Sequence, residues 1–305
     1  MTEIAPGITM LDAMLGGDPG LVSSYLVRGR DLAVVDPGPE TSARGLIEQL
    51  TALGVGADDL AWIVLTHIHL DHCGGTGTLA RAFPGARVVV FDRAARHIAE
   101  PQRLVEASQA VYGPLAPLYG GLEPTDAERV VPAADGHRIA LGNGVELEMV
   151  GTPGHARHHM SVLELATGTL MAGDALGSHL LGGGLYPNTP PSDADPPTGR
   201  ASLAKLRERA PTVISTAHFG PVGPPEEALD TADRQLATLG EIAIAGFPNG
   251  GVEGVRAEME RRMPLEETVG DAESAAHWRR LRWYADNADG LAIWAKRALE
   301  PRADG

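Results

Sequence analysis

The sequence predicts a mixed α/β fold, because short apolar runs typical of β-strands alternate with segments of helical periodicity along much of its 305 residues. Most of the apolar runs are followed by turn-forming residues. After about residue 225 the strand pattern stops and helical periodicity continues alone. The eight predicted strands are 22–27, 32–35, 61–65, 88–91, 145–150, 161–165, 169–172 and 212–215.

Three segments carry the helical pattern. In segment 40–54, four apolar residues fall on one stripe, which predicts an amphipathic helix between the second and third strands. A second helix is predicted over 198–210, immediately before the last strand. Beyond it the pattern runs through 226–245 into a tail, which we interpret as a helical appendage. This tail holds three of the four tryptophans, Trp278, Trp283 and Trp294.

Size and charge exclude several classes of protein. A chain of this length that is 43% hydrophobic can bury one large core. Its 40 acidic and 25 basic residues give a formal charge of −15, so we expect neither nucleic acid nor a membrane as partner. No stretch approaches the roughly 18 apolar residues of a membrane helix, and the first residues do not resemble a signal peptide. We therefore expect a cytoplasmic location, which agrees with the single cysteine, Cys73.

The stretch THIHLDHCGG at 66–75 concentrates side chains that bind metals. It lies between a predicted strand and a predicted helix, where active sites of layered α/β folds are found. His67 and His69 are two residues apart in extended chain and therefore point to the same side, whereas Asp71 and His72 enter the helix and can face a second position. Imidazole and carboxylate groups suit Zn²⁺ better than Mg²⁺ or Ca²⁺. One loop can thus serve two metal ions.

Three further polar residues follow predicted strands: His155 in GTPGH, Asp174 in LMAGD and His218 in ISTAHFGP. With these elements in this order, the sequence resembles the metallo-β-lactamase superfamily of metallohydrolases over roughly residues 20–225. The resemblance implies a four-layer αββα sandwich. We expect the metallohydrolase domain to span residues 1–225 and a helical C-terminal extension to span 226–305.

The resemblance also implies a dinuclear centre with two zinc ions per chain, or iron as an alternative. It assigns Asp71 a catalytic role, in which the carboxylate orients the attacking hydroxide. The implied ligands of the first zinc are His67, His69 and His155. Those of the second zinc are Asp71, His72 and His218, and Asp174 is implied to bind both ions.

Differences from other branches of the superfamily reduce the number of activities that we expect for this chain. The β-lactamases carry a cysteine where Asp174 stands, and iron-based electron-transfer members replace the second histidine, retained here as His69. The tRNA-processing nucleases need a basic surface, which the net charge disfavours. Hydroxyacylglutathione hydrolases and acyl-homoserine lactonases share all seven positions.

The predicted activity is therefore hydrolysis of a small thioester, lactone or related carboxylic acid derivative by metal-bound hydroxide. Two alternatives stay open. One is a mononuclear iron persulfide dioxygenase of the same fold, and the other is a non-catalytic metal-binding sensor.

Residues beside the predicted ligands carry weaker signals. Asp36 in VVDPGP lies at a strand end, where the resemblance suggests a hydrogen bond to a ligand histidine. Of the adjacent His158 and His159, we expect at most one to face the site, because neighbouring residues of an extended chain point to opposite sides, and we select His158. Cys73 is expected to be a small buried hydrophobic residue.

The remaining segments are expected to surround the site. Segment 93–125, helical and then rich in Pro and Gly, is interpreted as an insertion that covers the metals as a lid. Tyr112, Tyr119 and Tyr186 are the aromatic residues expected at its mouth, without an assigned role. The Pro-rich run 186–199 is predicted to be a surface loop. We expect the C-terminal helices to cover the same mouth or to form a homodimer contact, and a small molecule to be the substrate.

Overall fold

Two β-sheets form the centre of the protein in the computed structural model, which describes residues 1–180 and 183–300. The first sheet has seven strands in chain order: β1 (Thr2–Ala5), β2 (Ile8–Asp12), β3 (Ser23–Arg28), β4 (Leu32–Val35), β5 (Leu60–Val64), β6 (Arg87–Phe91) and β7 (Val130–Ala133). The second has six: β8 (His137–Gly142), β9 (Val145–Gly151), β10 (Met160–Glu164), β11 (Thr169–Met171), β12 (Val213–Thr216) and β13 (Gly220–Val222).

Strand direction determines which loops meet. Strands β1 to β4 pair antiparallel, whereas β4 to β7 are parallel. In the second sheet β8 to β11 form an antiparallel meander and β11 pairs parallel with β12. Parallel neighbours such as β11 and β12 end at the same edge of the sheet, so the loops that follow them lie side by side.

Twelve α-helices among the described residues surround the sheets. They are α1 (Ala43–Ala52), α2 (Leu70–Cys73), α3 (Thr76–Ala82), α4 (Ala95–Ala99), α5 (Gln102–Tyr112), α6 (Ala116–Tyr119), α7 (Pro196–Arg207), α8 (Pro225–Gly246), α9 (Val252–Arg262), α10 (Leu265–Val269), α11 (Ala272–Arg280) and α12 (Trp283–Leu299). No helix among the described residues is long and apolar enough to cross a membrane.

Three buried hydrophobic clusters separate the layers. One lies between the two sheets, where Val35 and Val64 of the first sheet meet Met149 and Met171 of the second. A second cluster packs helices on the outer face of the first sheet, and a third packs α7 and α8 on the outer face of the second. The protein is therefore a four-layer αββα sandwich, as the family resemblance implies.

The C-terminal helices share their core with the sandwich. Trp278 of α11 and Leu291 of α12 belong to the same hydrophobic cluster as Leu15 and Tyr119 of the first half of the chain. Burial of this kind contributes about 25 cal/mol per Å² of apolar surface removed from water, so these helices add to the stability of the whole. The domain boundary at residue 225 stays a prediction.

All eight predicted strands are present, together with five others. The additional strands β1, β2, β7, β8 and β13 have weaker patterns. Strand β1 has no buried residue, β7 contains Pro132, and β13 has only three residues. Such strands acquire their structure from their neighbours in the sheet rather than from their own periodicity.

Candidate metal centre

Seven polar side chains meet at one edge of the sandwich, each placed there by the end of a strand. His67 and His69 follow β5, and Asp71 and His72 lie in the short helix α2. The loops after β9, β11 and β12 supply His155, Asp174 and His218. Ligand atoms of three subsets lie within 4.8 Å of one another: His67, His69 and His155; His67, His72 and Asp174; and Asp71, His72 and His218.

The first group consists of three imidazoles that face each other. His69 Nδ1 lies 3.0 Å from His67 Nε2 and 2.9 Å from His155 Nε2. Three nitrogens that bind one zinc ion tetrahedrally, at roughly 2.0–2.1 Å, lie about 3.3 Å apart. The observed spacing is therefore close to that of a three-histidine zinc site.

Hydrogen bonds on the far side of the rings fix which nitrogen faces the centre. The Thr66 hydroxyl donates to Asp36 Oδ2 over 2.6 Å, so His67 Nδ1 donates to Thr66 Oγ1 over 3.0 Å. His155 Nδ1 donates to the Asn188 carbonyl over 3.0 Å. In both rings the Nε2 lone pair consequently points inward, as metal binding requires.

Burial keeps this group of histidines neutral. It lowers the pKa of His67, of His69 and of His155, and the neighbouring imidazoles lower the pKa of the first two further. His67 Nε2 and His155 Nε2 both direct lone pairs toward His69 Nδ1, which carries at most one hydrogen to share between them. A cation at this point would accept the lone pairs of all three rings, so the donor set fits a metal ion.

The second group combines a carboxylate with two imidazoles. Asp71 Oδ2 lies 3.5 Å from His72 Nε2 and 3.6 Å from His218 Nε2. His72 Nδ1 donates to Asp36 Oδ2 over 3.1 Å, and His218 Nδ1 donates to the Leu21 carbonyl over 2.7 Å. Both Nε2 atoms therefore face Asp71.

Electrostatics differ between the two groups. Burial lowers the pKa of His72 and of His218, but the nearby carboxylates of Asp71 and Asp174 outweigh it and raise both values above the usual one. Burial raises the pKa of Asp71, and His72 and His218 outweigh it, which brings the pKa to about 2. The carboxylates are thus charged at neutral pH, and a metal ion that binds here displaces protons from the imidazoles.

Asp174 lies between the two groups. Its Oδ2 is 3.4 Å from His155 Nε2 and 3.7 Å from His72 Nε2, and its Oδ1 is 3.4 Å from His218 Nε2. Asp174 Oδ1 and His72 Nε2 are both buried and have no hydrogen-bond partner among the described residues. Buried polar atoms of this kind are normally satisfied, and metal ions held by these residues would satisfy them.

Asp36 connects the two groups from behind. Its backbone is left-handed, with φ of 52°, a conformation that Asp tolerates better than most residues. Oδ1 accepts the Thr66 N–H over 2.8 Å, while Oδ2 accepts from the Thr66 hydroxyl and from His72. One carboxylate thereby orients His72 directly and His67 through Thr66.

His158 and His159 both lie beside the centre, contrary to the expectation that at most one faces it. The His158 ring lines the cavity above the centre, 5.8 Å from the His69 ring, while His159 Nε2 accepts the Asp174 N–H over 3.0 Å. Residues 157–158 form a turn rather than a strand, so side chains do not alternate there. The hydrogen bond to one of the seven residues belongs to His159, not to His158.

A cavity of about 290 Å³ opens above the centre. Its floor includes His69, Asp71, Asp174 and His218. One wall is α5, from the segment expected to be a lid, and another is the first part of α12. Residues 190–193 complete the rim, although the run 186–199 was expected to be only a surface loop.

The three tyrosines expected at the mouth occupy different positions. Tyr112 lines the cavity and stacks on Tyr119, with ring centroids 4.0 Å apart. Tyr119 accepts a hydrogen bond from Trp283 Nε1 over 3.2 Å. Tyr186 is buried in the core, where its hydroxyl donates to the Met263 carbonyl over 3.2 Å. Cys73 is fully buried and burial raises the pKa of its thiol, which agrees with the hydrophobic role expected of it.

Among the residues at the centre that sequence reasoning missed, two come from distant segments. The Asn188 carbonyl accepts from His155, and its side-chain amide donates to Asp174 Oδ2 over 3.1 Å. The Trp283 ring lies 4.7 Å from the His218 ring, in a tilted edge-to-face arrangement. No motif marks either residue, because each reaches the centre through the packing of distant segments.

Comparisons with known proteins agree with this architecture. The profile of the Metallo-beta-lactamase superfamily matches residues 17–218. A metallo-beta-lactamase fold-containing protein of Sulfurisphaera tokodaii is 32% identical over 249 residues, which cover 80% of this chain and 88% of the relative. A hydroxyacylglutathione hydrolase of Anaeromyxobacter dehalogenans is 29% identical over 259 residues, 84% of this chain and 92% of the relative.

A solved structure gives the same result. The crystal structure of an archaeal metallo-beta-lactamase superfamily protein from Sulfolobus tokodaii superposes with a TM-score of 0.71 at 27% identity and covers 93% of this chain and 98% of that one. The fold, the profile match and the similarity to these relatives lead to one conclusion. The chain belongs to the metallo-beta-lactamase superfamily.

Proposed function

We propose that the chain is a dinuclear zinc hydrolase that cleaves a small thioester, lactone or related carboxylic acid derivative. The observation that carries the proposal is the position of Asp174 at the floor of one cavity, where its carboxylate lies within 3.7 Å of His155 in one group of donor atoms and of His72 and His218 in the other. Seven side chains exceed the number of ligands that one tetrahedral ion uses. The relative named hydroxyacylglutathione hydrolase supports thioester chemistry.

The residues that would hold the ions follow from the geometry. His67, His69 and His155 would bind one zinc ion; Asp71, His72 and His218 would bind the other; and Asp174 would bridge both. Zinc ions bound there would supply Lewis acidity, which lowers the pKa of water to about 7 and polarises a substrate carbonyl.

The chain's own groups position the reactants. Asp71 lines the cavity, so a carboxylate oxygen is available to accept a hydrogen bond from the attacking water and to orient it. Asp36, Thr66, Asn188 and the Leu21 carbonyl hold the imidazoles in one orientation, which avoids reorganisation during the reaction.

The shape of the cavity supports a small substrate. A volume of about 290 Å³ is at the lower end of the range for small-molecule sites. Leu104, Ala107 and Val111 of α5 give it an apolar wall, against which an acyl chain can pack. A macromolecular substrate would need a wider and more polar opening.

Elemental analysis of the purified protein, combined with assays on thioester, lactone, β-lactam and phosphodiester substrates, tests the proposal. We expect close to two zinc equivalents per chain and turnover of a thioester or lactone, with loss of activity after chelation and recovery with zinc. His137→Ala, which alters a histidine outside the centre, serves as the control and should keep its zinc. One tightly held iron without zinc, or turnover of the phosphodiester alone, would overturn it.

A further inference from the structure

One carboxylate on the wall of the cavity has no evident structural task. Trp283, Asp286 and Asn287 at the start of α12 line the cavity. Both ends of the Asn287 amide have hydrogen-bond partners, because the oxygen accepts from the Thr189 N–H over 2.6 Å and the nitrogen donates to the Pro187 carbonyl over 2.8 Å. The side chain of Asp286 makes no hydrogen bond among the described residues.

The nearest cation leaves Asp286 weakly paired. Arg282 Nη2 lies 3.7 Å from Asp286 Oδ1, longer than a hydrogen bond, and the Arg282 side chain is half exposed. The other acidic residue of the rim, Asp193, is by contrast paired with Arg157 over 2.9 Å. No lysine or arginine is among the described residues that line the cavity.

Burial makes the charge of Asp286 unfavourable. It raises the pKa of this carboxyl to about 6; Arg282 lowers the pKa and Asp289 raises it further. A position in the first turn of a helix favours an anion only weakly, and many exposed positions would serve that purpose equally well. A partly buried charge that lines a binding cavity without a close partner is typical of a site that binds an oppositely charged group.

We propose that Asp286 is a specificity residue that binds a protonated amino group of the substrate, at the end remote from the reacting carbonyl. The inference rests on the proposed hydrolase function. Trp283 contacts His218, and Asp286 lies three residues, or roughly 4.5 Å of helix, further along α12. A short acyl chain on the apolar wall of α5 can therefore join the two ends of the cavity.

A matched pair of ligands tests the inference on zinc-loaded protein. 6-Aminohexanohydroxamate and heptanohydroxamate have the same length and the same metal-binding group, but only the first carries an ammonium. Calorimetry at pH 8 should show that the amine binds about ten- to a hundredfold more tightly, as expected for a hydrogen bond between charged groups.

Variants then assign the preference to one residue. Asp286→Asn should bring the two Kd values together, and Asp286→Glu should retain a preference for the amine. Asp289→Asn removes the same charge from the same helix at a residue that does not line the cavity, so it should keep the wild-type ratio. Equal Kd values in the wild type, or an unchanged ratio in Asp286→Asn, would overturn the inference.

Hydrolysis of the 4-nitrophenyl esters of the same two acids separates this inference from the proposed function. If neither ester is cleaved but the calorimetric preference depends on Asp286, the hydrolase proposal fails and the binding site stands. If both esters are cleaved at equal kcat/KM and both hydroxamates bind equally, the hydrolase proposal stands and the role of Asp286 fails.

Discussion

The floor and the walls of the cavity are built in different ways. Each floor residue follows a strand of the sandwich or lies in the short helix α2, so short sequence motifs determine its position. The walls come from α5, residues 188–193 and α12, segments that lie far apart in the chain and meet only through packing. The sandwich thus holds the candidate metal ligands, whereas helices and a loop packed against it form the rest of the cavity.

The two regions also differ in how firmly their polar groups are held. On the floor, each of four imidazoles uses its outer nitrogen in a hydrogen bond: His67, His72, His155 and His218. On the wall, Asn287 and Asp193 are also paired, but the side chain of Asp286 makes no hydrogen bond among the described residues. The difference indicates that the floor is organised before ligands arrive, whereas the wall keeps a charge free for one.

The strongest test of the floor is removal of its central carboxylate. Asp174→Ala should lose the second metal first, because the first site keeps three neutral histidines, and hydrolysis should fall by at least about a hundredfold, since even groups outside the ligand set cost 10- to 100-fold. The metal-free fold should survive because the apolar layers are untouched. Zinc content and melting temperature measured together check this. Asp233→Ala, which breaks a surface pair with Arg200, is the control. Full zinc occupancy with near-normal turnover would refute the bridging role.

A glycine beside the same carboxylate tests how tightly the floor is packed. Gly173 has φ of 57°, and a Cβ added there would lie 2.6 Å from His159 Nε2 and 2.9 Å from the Thr66 side chain. Gly54 has φ of 80° with open space around it. Gly54→Ala should therefore cost about 1–2 kcal/mol through its backbone alone, and Gly173→Ala a further 1–3 kcal/mol through the clash. Urea unfolding of both metal-free variants measures the two losses of unfolding free energy. Equal losses would show that the side chains around Gly173 can move to accept the added methyl group.

The hydrogen bonds behind the floor should have a smaller effect. Asp36→Asn keeps a residue that tolerates the left-handed backbone but removes the charge that accepts from Thr66 and His72. We expect zinc affinity to fall about 10- to 100-fold, because such partners set the orientation and basicity of the ligands. Competition with a chelating dye measures it. Asp31→Asn, at a surface pair with Arg30, should bind zinc normally. Unchanged affinity in Asp36→Asn would mean that the rings are oriented by packing alone.

Substitutions at the floor should weaken metal binding or stability, whereas removal of the Asp286 charge from the wall should make the protein more stable. Burial raises the pKa of Asp286 to about 6, so between about pH 4 and 6 the folded state binds more protons than the unfolded state, and stability falls as the pH rises. The free energy of unfolding of Asp286→Asn should therefore exceed that of the wild type by about 1–2 kcal/mol at pH 8 and should differ little from it at pH 4. Denaturant titrations at the two pH values test this. A variant less stable than the wild type at pH 8 would show that Asp286 has a structural role.

The same division explains what could be predicted from the sequence. The eight strands with strong apolar patterns are present, and the residues at their ends converge because parallel strands end at one edge. Strand β8 and the edge strand β1 were missed because pairing, not periodicity, forms them. Asn188 and Asp286 could not be predicted. Their positions depend on contacts with segments about 14 to 98 residues away, which local patterns do not encode.

The position of Trp283 gives the protein an optical signal of its own. Its indole lies in the wall, 4.7 Å from the His218 ring and 5.7 Å from the buried Trp278. Light absorbed by Trp278 passes readily to a neighbour at that separation. The emission of Trp283 is sensitive to the adjacent imidazole and to the water around the indole, so a ligand that fills the cavity should change it. Occupancy can therefore be followed by fluorescence in unlabelled protein, without any assay of turnover.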